Sequence, residues 1–262
     1  MQKKMIYDFL AGSKRLLIVL DACRFDALVE NIDLLDGLKY TVSRVRSEGS
    51  CTSEWLLKTF TEPLDAVYVS ANPWVPKLLG GSGVFGEIVD VSARYWDDGV
   101  GTVRAEYVNV VATRYLFKGK NVVVHYLQPH PPFVVDTWLR DGASPKHLTG
   151  SRIYELATRN GVARREFRRA YIENLRYVLR RAKSLVHVAL RLGYLVAITS
   201  DHGELFGVYA PIATLKLFLR KNLVEFLRNW LPYAVGRYRL VGHPCGLHCR
   251  ELIEVPWVEI HG

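Results

Sequence analysis

The stretch "VAITSDHGELFG" (residues 196–207) decides the fold: an apolar, β-branched run stops abruptly at Asp201, His202 and Glu204. Near-continuous Val, Ile and Ala without polar alternation suits a strand covered on both faces, as in the middle of a parallel sheet. Charge at the end of such a strand is costly to desolvate, so these side chains either reach a solvated rim or are held there by a cation.

The same pattern recurs outward along the chain. "RLLIVLD" (15–21), "DAVYVSA" (65–71), "VVVHYLQP" (122–129) and "YLVAITSD" (194–201) each read as buried strands, with helical patterns at 54–60, 103–117 and 162–192. This alternation predicts an α/β fold with a mostly parallel sheet. Asp21 ends the first strand as Asp201 ends the last. Ligands of open parallel sheets bind outside the carboxyl ends of the strands, so the two acids are expected to converge although 180 positions separate them. The alternative for Asp21 is an ordinary helix cap before "CRFDALVE".

With 262 residues, 49% of them hydrophobic, the chain can bury one substantial core, and a single domain over 1–262 is expected. The apolar run near the N-terminus extends only from Leu16 to Leu20, too short for a signal h-region or a membrane span, which predicts a soluble, cytoplasmic protein. Cys23, Cys51, Cys245 and Cys249 have no CxxC spacing and are expected as free thiols. The net charge of +9 concentrates on "ARREFRRAYIENLRYVLRRAKSLVHVALRL" (163–192), which reads as a solvated helix face or an attraction for phosphate or lipid. No aromatic-interleaved motif points to specific nucleic-acid binding. Near 208–240, Leu215, Leu219, Leu223, Phe226, Leu227 and Trp230 follow helical spacing, predicting a small helical insertion. It packs on the core, caps the site or makes peripheral membrane contact.

Three segments carry chemistry together: "LDACRFDAL" (20–28), "SEGSCTSEW" (47–55) and "TSDHGELFG" (199–207). With "YLQPHPPF", the long helix before Asp201 and the closing "ELIEVPWVEI", they resemble, in order and spacing, the alkaline phosphatase superfamily. The likeness is to its sulfatase-like branch and the related phosphoglycerol and phosphoethanolamine transferases. The resemblance spans nearly the whole chain and implies a three-layer sandwich around a mostly parallel sheet.

It also implies roles. Thr52 takes the nucleophile position, and a threonine hydroxyl needs a metal to become reactive. Asp21, Thr52, Asp201 and His202 form the implied metal set. Oxygen ligands suit hard cations and the imidazole suits zinc or manganese, with magnesium or calcium also compatible. One site is expected. A second would draw on His130 and on His243 or His248, of which the Gly-His-Pro turn favours His243; His130 alternatively binds the substrate's anionic oxygens directly. Arg24 orients Asp21 or approaches the phosphate. Glu204 braces a ligand or the turn, and His125 and His187, set in apolar patterns, are expected as structural histidines. The branch's calcium site has a second Asp where this chain has Ala22. Cys51 is the rival nucleophile, by oxidation to formylglycine, but the Pro and Arg of the sulfatase Cys-x-Pro-x-Arg pattern are missing.

The expected function is hydrolysis of a phosphate ester, either a small molecule or one linked to a glycan or lipid. The alternatives are a sulfatase, or a non-catalytic protein that binds anionic glycan or lipid on the same fold. Nothing in the sequence fixes an oligomeric state.

Overall fold

A computed structural model of the protein describes residues 1–135, 150–159, 161–208 and 238–261. The expected helical insertion near 208–240 falls almost wholly on 209–237, outside the described residues.

Seven strands form the central sheet: β1 (Arg15–Asp21), β2 (Lys39–Arg46), β3 (Leu64–Ser70), β4 (Phe85–Asp90), β5 (Val122–Pro129), β6 (Leu195–Ser200) and β7 (Glu254–His261). Their order is β2-β7-β6-β1-β5-β3-β4, with β7 antiparallel to both its neighbours and the pairs from β6 to β4 parallel. Leu16 to Leu20 of β1 are fully buried, as the unbroken apolar run requires for a strand at the middle of a covered sheet. The edge strand β2 shows why it escapes a search for apolar runs. Only Tyr40, Val42 and Val45 are half-buried, while Lys39, Arg44 and Arg46 face solvent and discourage pairing with another chain.

Side chains of successive residues on β1 enter different cores. Leu16, Ile18 and Leu20 join one with Leu28, Val108, Ala112, Tyr171, Leu175 and Leu179. Leu17 and Val19 join another with Ile6, Leu10, Trp55, Leu56, Val75 and Leu79. The first layer is therefore built from α1 (Gln2–Leu10), α2 (Thr52–Thr59) and α3 (Trp74–Leu79), and the second from α4 (Ala105–Phe117) and α5 (Gly161–Arg191). This is the expected three-layer sandwich. Some of the arginines of α5 are engaged with acids, Arg176 with Asp33, Arg181 with Glu106 and Arg169 with Glu166, which neutralises part of that face. No helix of the described residues is long and apolar enough to cross a membrane.

Candidate active site

β1 and β6 are parallel neighbours, with Leu20 opposite Ser200, so Asp21 and Asp201 leave the sheet side by side. The 180-residue separation collapses to one strand spacing. Between them arrives Thr52, the first residue of α2. Its turn depends on Gly49, where a Cβ would lie 2.4 Å from the backbone nitrogen of Trp55. The Thr52 hydroxyl donates to Asp201 Oδ2 at 2.7 Å and lies 3.2 Å from His202 Nε2.

Each side chain is fixed from behind. Asp201 Oδ1 accepts from the backbone N–H of Ala22 and of His202, at 3.0 and 2.8 Å. Ala22 holds a left-handed conformation, φ 60°, that turns the chain sharply off β1. His202 Nδ1 lies 2.8 Å from the Gly203 carbonyl, which fixes the proton on Nδ1 and leaves the Nε2 lone pair facing Thr52 and Asp21. Gly203 is itself obligatory, since a Cβ there would lie 2.0 Å from the Glu251 carbonyl oxygen. Asn72, at the end of β3, donates to Asp21 Oδ2 at 2.7 Å. From α5, Tyr171 donates to the Ala22 carbonyl and Asn174 to those of Pro129 and His130, tying down two of the loops.

His125 corrects an expectation. It is buried as a structural histidine should be, and Nδ1 meets the Tyr68 hydroxyl at 3.0 Å. Its Nε2, however, has no hydrogen-bond partner among the described residues and lies 3.7 Å from Asp201 Oδ2. Asp21 Oδ1 is likewise buried without a partner. One ligand atom each from Asp21, His125 and Asp201 lie within 4.8 Å of one another. Two buried carboxylates, neither paired with a lysine or arginine among the described residues, thus meet one imidazole, and Asp21 Oδ1 and His125 Nε2 are left unsatisfied. A divalent cation fits this donor set in both charge and coordination.

The electrostatics agree with that fit. Burial, and then the Asp201 charge, push the Asp21 carboxyl well above its ordinary range. Burial brings the His125 imidazole down to about 4, against the opposing charge of Asp201. Burial also holds His202 and His130 well below the ordinary histidine value, and the neighbouring His243 adds to this. These three imidazoles are neutral, which is the metal-ligating form.

His243 lies on the far wall, its ring 4.4 Å from that of His202 and 4.9 Å from that of His130. Glu204 sits behind it, accepting from Tyr154 at 2.5 Å and lying 3.3 Å from His243 Nδ1. Burial opposes protonation of His243, but the Glu204 charge and hydrogen bond outweigh it and raise the imidazole above its ordinary value. His248 instead meets Glu54 at 2.9 Å and is substantially exposed, so only His243 of the two candidates lines the site. The Thr52, His130 and His243 side chains open on a cleft of about 890 Å³ whose outer wall carries Trp74, Trp96 and Asp98.

Two more expectations are corrected. Arg24 does not line this cleft: Asp26, two residues on, captures its guanidinium through two oxygens at 2.8 and 2.5 Å, and Nη1 donates to the Glu204 carbonyl. The guanidinium stacks over Phe206 and borders a separate charged groove. The cysteines are not all free thiols either. Cys51 is bonded to Cys245, with Cα atoms 5.1 Å apart, while Cys23 and Cys249 remain free. A disulfide-bonded Cys51 has no thiol to oxidise to formylglycine.

Several solved structures share this architecture across almost the entire chain. The C-terminal periplasmic domain of EcEptC from Escherichia coli, in complex with zinc, aligns with a TM-score of 0.58 at 12% identity, covering 95% of this chain and 72% of that one. The soluble domain of lipooligosaccharide phosphoethanolamine transferase A from Neisseria meningitidis aligns at 0.55 and 12%, covering 94% and 75%. Phosphonate monoester hydrolase of Agrobacterium radiobacter aligns at 0.54 and 13%, covering 95% and 68%. The chain shares the fold of these transferase and hydrolase domains. No protein-family model matches the sequence, and neither does any curated protein.

Asn72, Tyr68, Tyr154 and Asn174 were not legible as site residues. Asn72 carries the one usable signal, since it follows a buried strand as Asp21 and Asp201 do.

Proposed function

We propose that the chain is a metal-dependent phosphoester hydrolase with Thr52 as nucleophile. The observation that carries this reading is the Thr52 hydroxyl held at 2.7 Å from Asp201 beside the unpartnered Asp21 Oδ1 and His125 Nε2, at the floor of an open cleft. Asp21, Asp201, His202 and His125 would hold a divalent cation, zinc or manganese by donor type, which when bound supplies the Lewis acidity that makes a threonine hydroxyl nucleophilic at neutral pH.

The chain's own residues do the rest. Asp201 Oδ2 holds the hydroxyl hydrogen and aims the oxygen lone pairs into the cleft. Thr52 Oγ1 bonds to phosphorus as its hydrogen passes to Asp201 Oδ2 and the ester oxygen leaves on the opposite side, taking a proton from water. This gives a phosphothreonine whose P–O bond water then cleaves to release phosphate and restore the hydroxyl. The amides of Thr52, Ser53 and Glu54, at the first turn of α2, precede the first helical hydrogen bond, made by Trp55 to Cys51, and are available to phosphoryl oxygens. His243, held by Glu204 through Nδ1, faces the same space and is placed to donate to an anionic oxygen.

A transferase, in which an alcohol replaces water in the second step, is the second reading. The likeness to a lipooligosaccharide phosphoethanolamine transferase domain favours it, and the same site serves both. A glycan- or lipid-linked phosphate ester fits either. The sulfatase reading loses support because Cys51 is sequestered. The disulfide also supports an oxidising compartment in place of the cytoplasmic one expected from sequence.

Purified wild type and Thr52→Ala, assayed on aryl phosphate monoesters, diesters and sulfate esters with added zinc or manganese, test the proposal. Wild-type turnover of a phosphate ester and a loss of at least about 10³-fold in kcat for the variant are expected. Equal rates for the two proteins reject Thr52.

A further inference from the structure

The cysteine immediately before Thr52 is covalently joined to the residue two positions after His243, across 194 residues of sequence. The bridge therefore links the turn bearing the candidate nucleophile to the loop bearing the opposite wall of the cleft. We propose that Cys51–Cys245 is a positioning element of the site: it holds the His243 loop at a fixed distance from Thr52, and with it opened the loop departs and turnover falls. The kinetic half of this inference rests on the phosphoester reading; the mechanical half does not.

The geometry of the loop supports this role. Its last ladder residue is Gly242, in the short ribbon of Leu240–Gly242 with Leu205–Val208, and regular structure resumes only at Arg250. Between them Leu247 packs against Leu205, Leu240, Leu252 and Ile253, and the polar contacts of 244–248 with the rest of the described chain converge on the segment 50–54. Ser50 donates to the Pro244 carbonyl at 3.2 Å and accepts from the Gly246 amide at 2.8 Å. Glu54 meets His248 at 2.9 Å, and Lys58 donates to the same Glu54 oxygen. Cys245, Gly246 and His248 are exposed, so water competes for these polar contacts, whereas the covalent bond is immune to that competition. Farther in, His243 Nδ1 meets Glu204 and Tyr154, and its ring lies against those of His202 and His130. The disulfide is thus the strongest attachment of the loop's outer end to the Thr52 turn.

The bond is also chemically reachable. Cys245 is exposed and is the sulfur a reductant meets, while the buried Cys51 sits at the N-cap of α2, where the amide dipoles stabilise a departing thiolate. With tris(2-carboxyethyl)phosphine the phosphorus attacks one sulfur, the S–S bond breaks with two electrons passing to the sulfurs, and water's oxygen ends on phosphorus as the phosphine oxide. Cys51 and Cys245 become thiols. Cys23 and Cys249, already free, are unchanged.

The test uses folded, oxidised protein reduced in this way and freed of phosphine without air, so that folding of a variant is not at issue. Amide hydrogen exchange of peptides covering 243–249 is expected to quicken at least tenfold on reduction, with the sheet peptides of β1 and β6 unaffected. On an aryl phosphate with manganese, kcat is expected to fall at least tenfold and to return on reoxidation. Cys245→Ser should behave as the reduced wild type, and adding Cys245→Ser to His243→Ala should slow that variant no further. Unchanged exchange at 243–249, unchanged kcat in an active enzyme, or additive losses in the double variant would each overturn the proposal. If the oxidised protein turns over no ester with any metal, the phosphoester reading fails, while the exchange measurement still decides whether the bridge positions the loop.

Discussion

Replacing Asp21 by Asn is expected to move stability in opposite directions with and without metal. Asp21 and Asp201 are buried, with ligand atoms within 4.8 Å of each other, and Asp21 Oδ1 has no partner. At an effective dielectric of about 20, two ionised carboxylates at that separation repel by roughly 3 kcal/mol. Asn is nearly isosteric, keeps an oxygen to accept from Asn72, and removes the charge. The sign with pH follows from linkage. Burial and Asp201 raise the folded Asp21 carboxyl, so the native state binds the extra proton between the unfolded value near 3.8 and the raised one. Metal-free wild type therefore loses stability as pH rises through that window, and Asp21→Asn lacks this loss. At pH 8 with chelator, a relief of about 2 kcal/mol raises Tm of the variant by roughly 4–8 °C. With metal at about 1,000 times its Kd, wild type gains about 4 kcal/mol, most of which the variant forfeits. Calorimetric melts of both proteins, with EDTA and with zinc, from pH 5 to 8 measure both arms. A chelated variant that melts below chelated wild type at pH 8, or an equal zinc-dependent rise in the two, refutes the buried cation site.

Three further outcomes are expected. Gly203→Ala places a methyl 2.0 Å from the Glu251 carbonyl, backbone against backbone, and is expected to destabilise by about 2–3 kcal/mol in urea melts, with activity lost alongside because Asp201 and His202 flank it. Thr52→Ser keeps the hydroxyl and should retain far more turnover than Thr52→Ala, in an assay that also traps the phosphorylated residue by mass spectrometry after acid quench. Glu54, whose carboxyl is brought down to about 2 by Lys58, Ser50 and His248 against burial, contributes stability that is complete above its unfolded value near 4.5 and lost as pH falls toward 2. Glu54→Gln should flatten that acid limb of the stability profile.

The legible parts of the fold are those where burial on both faces dictates composition. β1 and β5 match their sequence-derived bounds, and the strand ending at Asp201 differs by a residue at each end, because burial on both faces makes them predominantly apolar. β2 and β4, at the edges, bury too little to leave an apolar run, and β2 pairs with a strand from the far end of the chain. Helix Gln2–Leu10 carries its apolar residues Met5, Ile6, Phe9 and Leu10 within six positions, too short a stretch for its period to be separated from a loop.

The same physics explains which site residues could be found. Asp21, Asp201 and His202 interrupt an apolar run at its end, where charge is conspicuous. His125 interrupts one in its middle, and there a histidine reads as core. What distinguishes it is register: His125 stands opposite Val19, and with side chains alternating along β1, Val19 and Asp21 point to the same face. That is the face of Trp55 and Tyr68, whose rings contact His125, and of α2, whose first residue is Thr52. A histidine one step below a strand-end acid, on the side from which the nucleophile arrives, is thus a ligand candidate as soon as the pairing of β1 with β5 is known. The Cys51–Cys245 pairing lies one level further from the sequence. It depends on where a loop from the end of the chain docks, and neither spacing nor periodicity specifies that contact until the sheet has brought β6 beside β1 and β7 beside β6.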